Sequence, residues 1–289
     1  MIPDRYKSAD CEGEHEERLL VDETQARELY RFLSGQRLSR RRHRGFVFGA
    51  LYLKMLGNYH TIDASGSSGI SINISLACGN QSTIRLLDAS SDTKLLSSVV
   101  GLGASLDGVS GNCRRELGDV GDMIGLGYRS RKEGKVYKGT EIPGVAKAME
   151  EASVSAQEYM EVFAPNALKS IRDGEAKGTA AKPLLAMGGE TGPGNCIMIS
   201  RNLGNSSHFD YKDQSLSFGV WGEEVKGSAT NWYFICPNVS VNGKPGLAIR
   251  LFHGAVIVWD GKQIKHCTSV TTLGEGNNVY GCMFGSCRG

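Results

Sequence analysis

No C-x-x-C pair occurs among the eight cysteines, at 11, 78, 113, 196, 236, 267, 282 and 287, which excludes a zinc ribbon. Their scatter along 289 residues argues against a disulfide scaffold and for isolated buried thiols in a reducing compartment. Long apolar runs are also missing. The longest, such as 254–259, are far too short to span a bilayer. The opening MIPDRYKSADCEGEHEE has no apolar core of the kind a signal peptide needs. The expectation is a soluble, intracellular protein. A dinucleotide fingerprint is incomplete: Gly101 and Gly103 give G-x-G, but Leu106 stands where a third glycine belongs. No internal repeat is visible.

Glycine is abundant, with 38 residues, and favours a turn-rich architecture over a helical bundle. Hydrophobic residues at 40% and charged residues at 22% are ordinary for a globular chain. The net charge of +2 says little about partners, but its distribution says more. An acidic stretch, Glu12–Glu17, precedes Arg37, Arg40, Arg41, Arg42 and Arg44, with His43 among them. Arg40, Arg41 and Arg42 are the candidate nucleic-acid contacts, and the cluster is also a candidate nuclear address. A solvated surface run is the plain alternative.

The pattern divides the chain into a polar and helical N-terminal segment, 1–45, and a domain over 46–289. Leu20, Ala26, Leu29, Tyr30 and Leu33 predict a helix over 21–34. The alternation of GISINISLA predicts a strand over 69–77. Ala148, Met149, Ala152, Ala156, Tyr159, Met160 and Phe163 predict a helix within 144–172, interrupted by Pro165, and these side chains read as core. From Cys196 onward, short apolar runs alternate with turn signals, as in a sandwich or jelly roll. Asn242-Gly243 and Asp260-Gly261 are expected as hairpin turns. The fold class is α+β: a jelly-roll core, mainly 196–289, with flanking helices and with supporting elements in 46–195.

His208-Phe209-Asp210 carries the chemistry. On a strand, residues i and i+2 share a face, so an imidazole and a carboxylate stand together. With a second histidine they form a facial 2-His-1-carboxylate set, which leaves open positions on Fe(II). The second histidine is His266 or His253. His266 is preferred, because the chain between it and Asp210 can cross a barrel and return on a late strand.

The segments GNSSHFD, Trp221, NWYF and HGAVIVWDGKQIKHCT resemble the non-haem iron oxygenases of the double-stranded β-helix fold. Among these they are similar to the TET-related algal enzymes, one of which modifies 5-methylcytosine in DNA with vitamin C in place of 2-oxoglutarate. The resemblance covers residues 196–289 and does not extend over the N-terminal half. It implies Fe(II) held by His208, Asp210 and His266, with 2-oxoglutarate or ascorbate as co-substrate and DNA as a partner. It places Asp213 as a polar pocket residue near the co-substrate. Tyr211, Trp221, Trp232 and Tyr233 could stack on a flipped base, although core packing is the preferred account of them. One family feature is missing: residues 269–287 contain no Arg or Lys to pair with the far carboxylate of 2-oxoglutarate. Arg250 could serve from a neighbouring strand, or the co-substrate could be one that needs hydroxyl partners. The same gap supports a second reading, a non-catalytic β-barrel binding module with a vestigial metal site. A cupin-like enzyme using another divalent metal is a third.

Overall fold

The computed structural model describes residues 59–76, 79–109, 111, 120–127, 137–177, 193–205, 207–269, 271–274 and 276–286. The helix expected over 21–34 and the arginines at 40–42 lie outside them. In chain order the elements are β1 (His60–Ile62), β2 (Ile70–Leu76), β3 (Gln81–Asp88), α1 (Thr93–Ser105), β4 (Val120–Gly127), a 3₁₀ turn (Lys138–Glu141), α2 (Val145–Phe163) and α3 (Pro165–Lys177). There follow β5 (Cys196–Gly204), β6 (Ser217–Glu223), β7 (Ala229–Thr230), β8 (Tyr233–Val241), β9 (Lys244–Arg250), β10 (Ala255–Trp259), β11 (Cys267–Thr268), β12 (Thr272–Leu273) and β13 (Val279–Gly285).

Eleven strands form one sheet in the order β1-β9-β8-β2-β3-β10-β6-β13-β5-β4, with β11 on β8. The sheet curls into two layers. One contains β4, β5, β13, β6 and β10, the other contains β11, β8, β9 and β1, and β2 and β3 join them between β8 and β10. Two-residue alternation decides what each layer faces. On β6, Phe218 and Val220 point outward to the helices, whereas Trp221 points between the layers. On β10, Val256 and Val258 face out, while Ala255, Ile257 and Trp259 face in. All five residues of β10 are buried, because both faces of the layer are covered. The helices cover the outer face through Leu95, Val99 and Leu102 of α1, Met149, Ala152, Ala156 and Met160 of α2, and Leu168 and Ile171 of α3. This is an α+β fold with a double-stranded β-helix core.

The elements follow local signals. Asp92 caps α1 by accepting a hydrogen bond from Leu95 N at 2.9 Å. Gly101 and Gly103 lie within α1 rather than in a phosphate loop, and Gly103 packs against Tyr280, where a Cβ would come within 2.3 Å of the ring. The 144–172 helical stretch is two helices: α2 ends at Phe163, and Pro165 opens α3, where its missing N–H costs nothing. At the β8–β9 turn, Asn242 and Gly243 have φ of 51° and 75°, the values of a type I′ hairpin.

Asp260-Gly261 departs from expectation. It is not a hairpin turn: β3 and β6 already pair with both edges of β10, so the next strand cannot return beside it. Gln263 N and Ile264 N instead donate to the Asp260 carbonyl at 3.2 and 2.9 Å, and the chain crosses to the other layer, where β11 pairs with β8. The sheet is also larger than the expected 196–289, because β1 to β4 all join it. Among the described residues, no helix is long and apolar enough to cross a membrane.

Candidate metal centre

His208 and His266 face each other across an antiparallel bridge between the two segments that follow β5 and precede β11. His208 N donates to the His266 carbonyl at 3.0 Å, and His266 N donates back to the His208 carbonyl at 2.9 Å. A directly opposed, mutually bonded pair puts both side chains on one face. Asn205 extends the pairing: its N donates to the Thr268 carbonyl at 3.1 Å, and its Oδ1 accepts from Thr268 N at 2.7 Å. The chain then leaves the strand. Asp210 N donates to the Gly261 carbonyl at 2.8 Å, which fixes the carboxylate beside the two rings. Asp210 Oδ1 lies 3.5 Å from His208 Nε2, and Oδ2 lies 3.1 Å from His266 Nε2. One donor atom from each of the three residues lies within 4.8 Å of the others, a spacing that suits a single cation.

The surroundings hold that geometry. His266 is 3% exposed, and its Nδ1 lies 3.0 Å from the Ile264 carbonyl. That contact calls for a proton on Nδ1 and turns the Nε2 lone pair toward Asp210. The ring stacks on Phe234 at 5.4 Å and meets Trp259 edge-on at 5.3 Å. Burial pushes the His266 pKa down, but the Asp210 carboxylate and the Ile264 carbonyl outweigh it, and the net direction is up. The field that favours a proton on Nε2 favours any cation there. Gly261 passes so close to Asp210 that a Cβ would lie 3.1 Å from its Oδ2. Asp213 adds a second carboxylate, whose Oδ2 accepts from Ser217 Oγ at 3.0 Å.

The cluster lies in the wall of a pocket of about 360 Å³, within the range of small-ligand sites. Met198 and Ser200 of β5, Trp221 of β6 and Gly281 and Met283 of β13 form one side. Asn205, His208, Asp210, Asp213, Phe234, His266 and Thr268 form the other. Tyr211 stands at the opening, 72% exposed, with its ring 5.2 Å from that of Phe209.

Of the residues singled out by sequence, the structure brings His208, Asp210, Asp213, Tyr211, Trp221 and His266 to this pocket. Phe209 does not point away, as strand alternation implies, because the chain is already turning, and it lines the pocket too. His253 lies apart from the cluster, with its Nδ1 accepting from Glu223 N at 3.1 Å. Arg250 is not in the pocket. Leu247 and Ile249 take the inner face of β9, so Arg250 points outward, where it pairs with Asp63 at 2.8 Å. Trp232 is not at the pocket either. It is 3% exposed and packs in the core between the layers. Tyr233 alternates to the outer side, against the cluster of Tyr59, Ile235, Ala248 and Cys267. Sequence reasoning missed Phe234, Trp259 and Gly261. The first two could have been found as apolar residues on strands flanking the distal histidine.

No protein-family model and no curated protein matches this sequence. Solved structures match its fold. NgTET1 in complex with 5mC DNA superimposes with a TM-score of 0.50 at 9% identity, over 80% of this chain and 83% of that one. An oxidoreductase of the 2OG-Fe(II) oxygenase family from Burkholderia pseudomallei has a TM-score of 0.38 at 12% identity, over 83% and 93% of the two chains. A prolyl hydroxylase from Trichoplax adhaerens, in complex with a peptide of the hypoxia inducible factor oxygen degradation domain, has a TM-score of 0.33 at 12% identity, over 70% and 83%. The likeness to NgTET1 is one of fold: the double-stranded β-helix.

Proposed function

We propose that this protein is a non-haem Fe(II)-dependent dioxygenase that hydroxylates a C–H bond, with 2-oxoglutarate or ascorbate as co-substrate. The observation that carries this reading is the convergence of His208, Asp210 and His266 in the wall of a ligand-sized pocket. Two imidazoles and one carboxylate fit Fe(II), and such a set leaves coordination positions open. Bound iron supplies O₂ activation, which no side chain can perform. One oxygen atom of O₂ ends in the new hydroxyl, and the other is reduced with two electrons from the co-substrate.

The remaining work falls to the chain. The Ile264 carbonyl holds His266 in the tautomer that offers Nε2. Phe234 and Trp259 keep water from its ring faces. The bond from Asp210 N to Gly261 fixes the carboxylate.

The substrate we propose is 5-methylcytosine in DNA. In support, the fold is shared with NgTET1, whose structure holds 5mC DNA. A methyl group inside a duplex is reachable only if the base is flipped out of the stack. Tyr211, exposed at the pocket mouth against Phe209, would stack on such a base. Arg40, Arg41 and Arg42 would meet the phosphates.

The test is to incubate protein, Fe(II) and O₂ with a methylated duplex, adding ascorbate or 2-oxoglutarate in separate arms. Digested nucleosides are then weighed by mass spectrometry. Oxygen gained by 5-methylcytosine, and lost in His208→Ala, is expected. Metal-loaded protein that consumes no O₂ in either arm would contradict the enzymatic reading and favour the binding module. The absence of arginine among the described pocket residues is the observation behind that second reading.

A further inference from the structure

The layer of β6, β13, β5 and β4 turns one face to the pocket, and strand register decides what stands on it. Gly219, Met283, Met198 and Gly125 lie side by side in one row across the four strands. Directly opposed residues share a face. On the same face, Gly285 stands opposite Cys196. Their neighbours along the strands, Phe218, Phe284, Ile197 and Leu126, face the helices instead. Aromatic rings cover both ends of the row. A Cβ at Gly219 would lie 2.6 Å from Trp221 Cη2, and one at Gly125 would lie 2.6 Å from Tyr137 Cδ1. Between them stand the two thioethers, each only partly buried in a strand whose other residues are mostly buried. Gly285 differs from the other two glycines: a Cβ there would meet nothing within 4 Å. Glycine inside a strand weakens it and marks a place where another group comes close.

The hydroxyl and thiol hydrogens on this face are already committed. Ser200 Oγ donates to the Gly281 carbonyl at 3.2 Å, Cys196 Sγ to the Gly285 carbonyl at 3.5 Å, and Ser217 Oγ to Asp213 at 3.0 Å. The surface left for a ligand is thioether, aromatic ring and bare glycine. It also lies toward the opening. Gln214 N donates to the Ser286 carbonyl at 2.6 Å, which sets Gly285 beside the turn that carries Asp210 and the exposed Tyr211. We propose that Met198, Met283 and Gly285 form the subsite that receives the substrate, and that it takes the face of an uncharged flat ring. Thioether sulfur packs favourably against aromatic rings, and a ring face asks for no hydrogen bond. This rests on the oxygenase reading above and names the part of the substrate that enters the pocket; the methylated base of that reading is one such ring.

The experiment uses the full chain with carbon-13 methionine methyl groups, anaerobic and loaded with Zn(II) as a redox-inert stand-in for iron. The probes are phenol, a flat uncharged ring, and cyclohexanol, its puckered counterpart. Phenol is expected to shift the methyl signals of Met198 and Met283 to saturation; Met198→Leu and Met283→Leu identify those signals. Cyclohexanol is expected to bind roughly tenfold more weakly. Gly285→Val fills the open space and is expected to weaken phenol by about tenfold or more, as overpacking does. Its melting temperature and Zn(II) affinity should be unchanged. Gly285→Ala acts in the same direction with a smaller side chain and serves if the valine variant does not fold. With Mn(II) in place of Zn(II), the ring protons of bound phenol should broaden, as a ring beside the metal requires. Phenol that shifts neither methyl, or binds no better than cyclohexanol, overturns the subsite alone. So does phenol that binds both Gly285 variants undiminished, or that stays sharp beside Mn(II). A wild type that takes up neither metal overturns the oxygenase reading, and the subsite with it.

Discussion

Asp210 is the residue on which the centre turns, and its position depends on a neighbour without a side chain. Gly261 accepts from its backbone N, and a Cβ at 261 would lie 3.1 Å from both Asp210 Cβ and Oδ2. Gly261→Ala should therefore push the carboxylate off the cluster while leaving the fold intact. We expect Mn(II) affinity to fall roughly tenfold, the low end for a residue that orients a metal ligand, with an unchanged melting temperature. Calorimetry and a thermal scan together check both halves. His208 and Asp210 were legible as candidates because H-x-D sets an imidazole and a carboxylate two residues apart, but the bond from Asp210 N to Gly261 that fixes the carboxylate was not. The distal histidine was not fixed by spacing, since His253 and His266 both sit near late strands. What separates them is a strand pairing, His208 to His266, that no local pattern encodes. Arg250 was misplaced although Leu-Ala-Ile-Arg-Leu itself carries the answer: if the leucines and the isoleucine face the core, the arginine cannot.

Among the elements, the interruption at Pro165 and the Asn242-Gly243 hairpin could be read from the sequence, because they are local, whereas α1 and its Asp92 cap were not anticipated. The Asp260-Gly261 crossing could not, because it depends on which strands already flank β10. The same holds for the recruitment of β1 to β4, whose partners lie far along the chain. The local signals make a direct prediction. The Asp92 carboxylate satisfies one of the open N–H groups at the start of α1, and that helix packs on the layer that carries Trp221. Asp92→Ala should cost about 1 kcal/mol of stability, the usual value of a lost N-cap. Urea unfolding should show it as a lower midpoint at unchanged slope, with metal affinity retained.

The described residues form a curled sheet with helices on one outer face and the cluster of His208, Asp210 and His266 between its layers. Its stability has a pH limit on the alkaline side. Burial of the Tyr159 phenol between α2 and the sheet, reinforced by Asp92 and Asp88, pushes its pKa from 10.0 to about 12. In the unfolded chain the phenol ionises at its ordinary pKa, so above that pH the folded state holds a proton the unfolded state has lost. The contribution is fully present below pH 10 and disappears as pH rises through the folded value of about 12. Urea midpoints should fall across that window, and Tyr159→Phe should flatten the fall. The central claim is that His208, Asp210 and His266 form one metal site, and the most direct test is anaerobic Fe(II) titration of wild type against Asp210→Ala. The account predicts one tightly held ion per chain in wild type and severe loss of affinity in the variant. A wild type that holds no Fe(II), or a variant that holds it equally well, would contradict it.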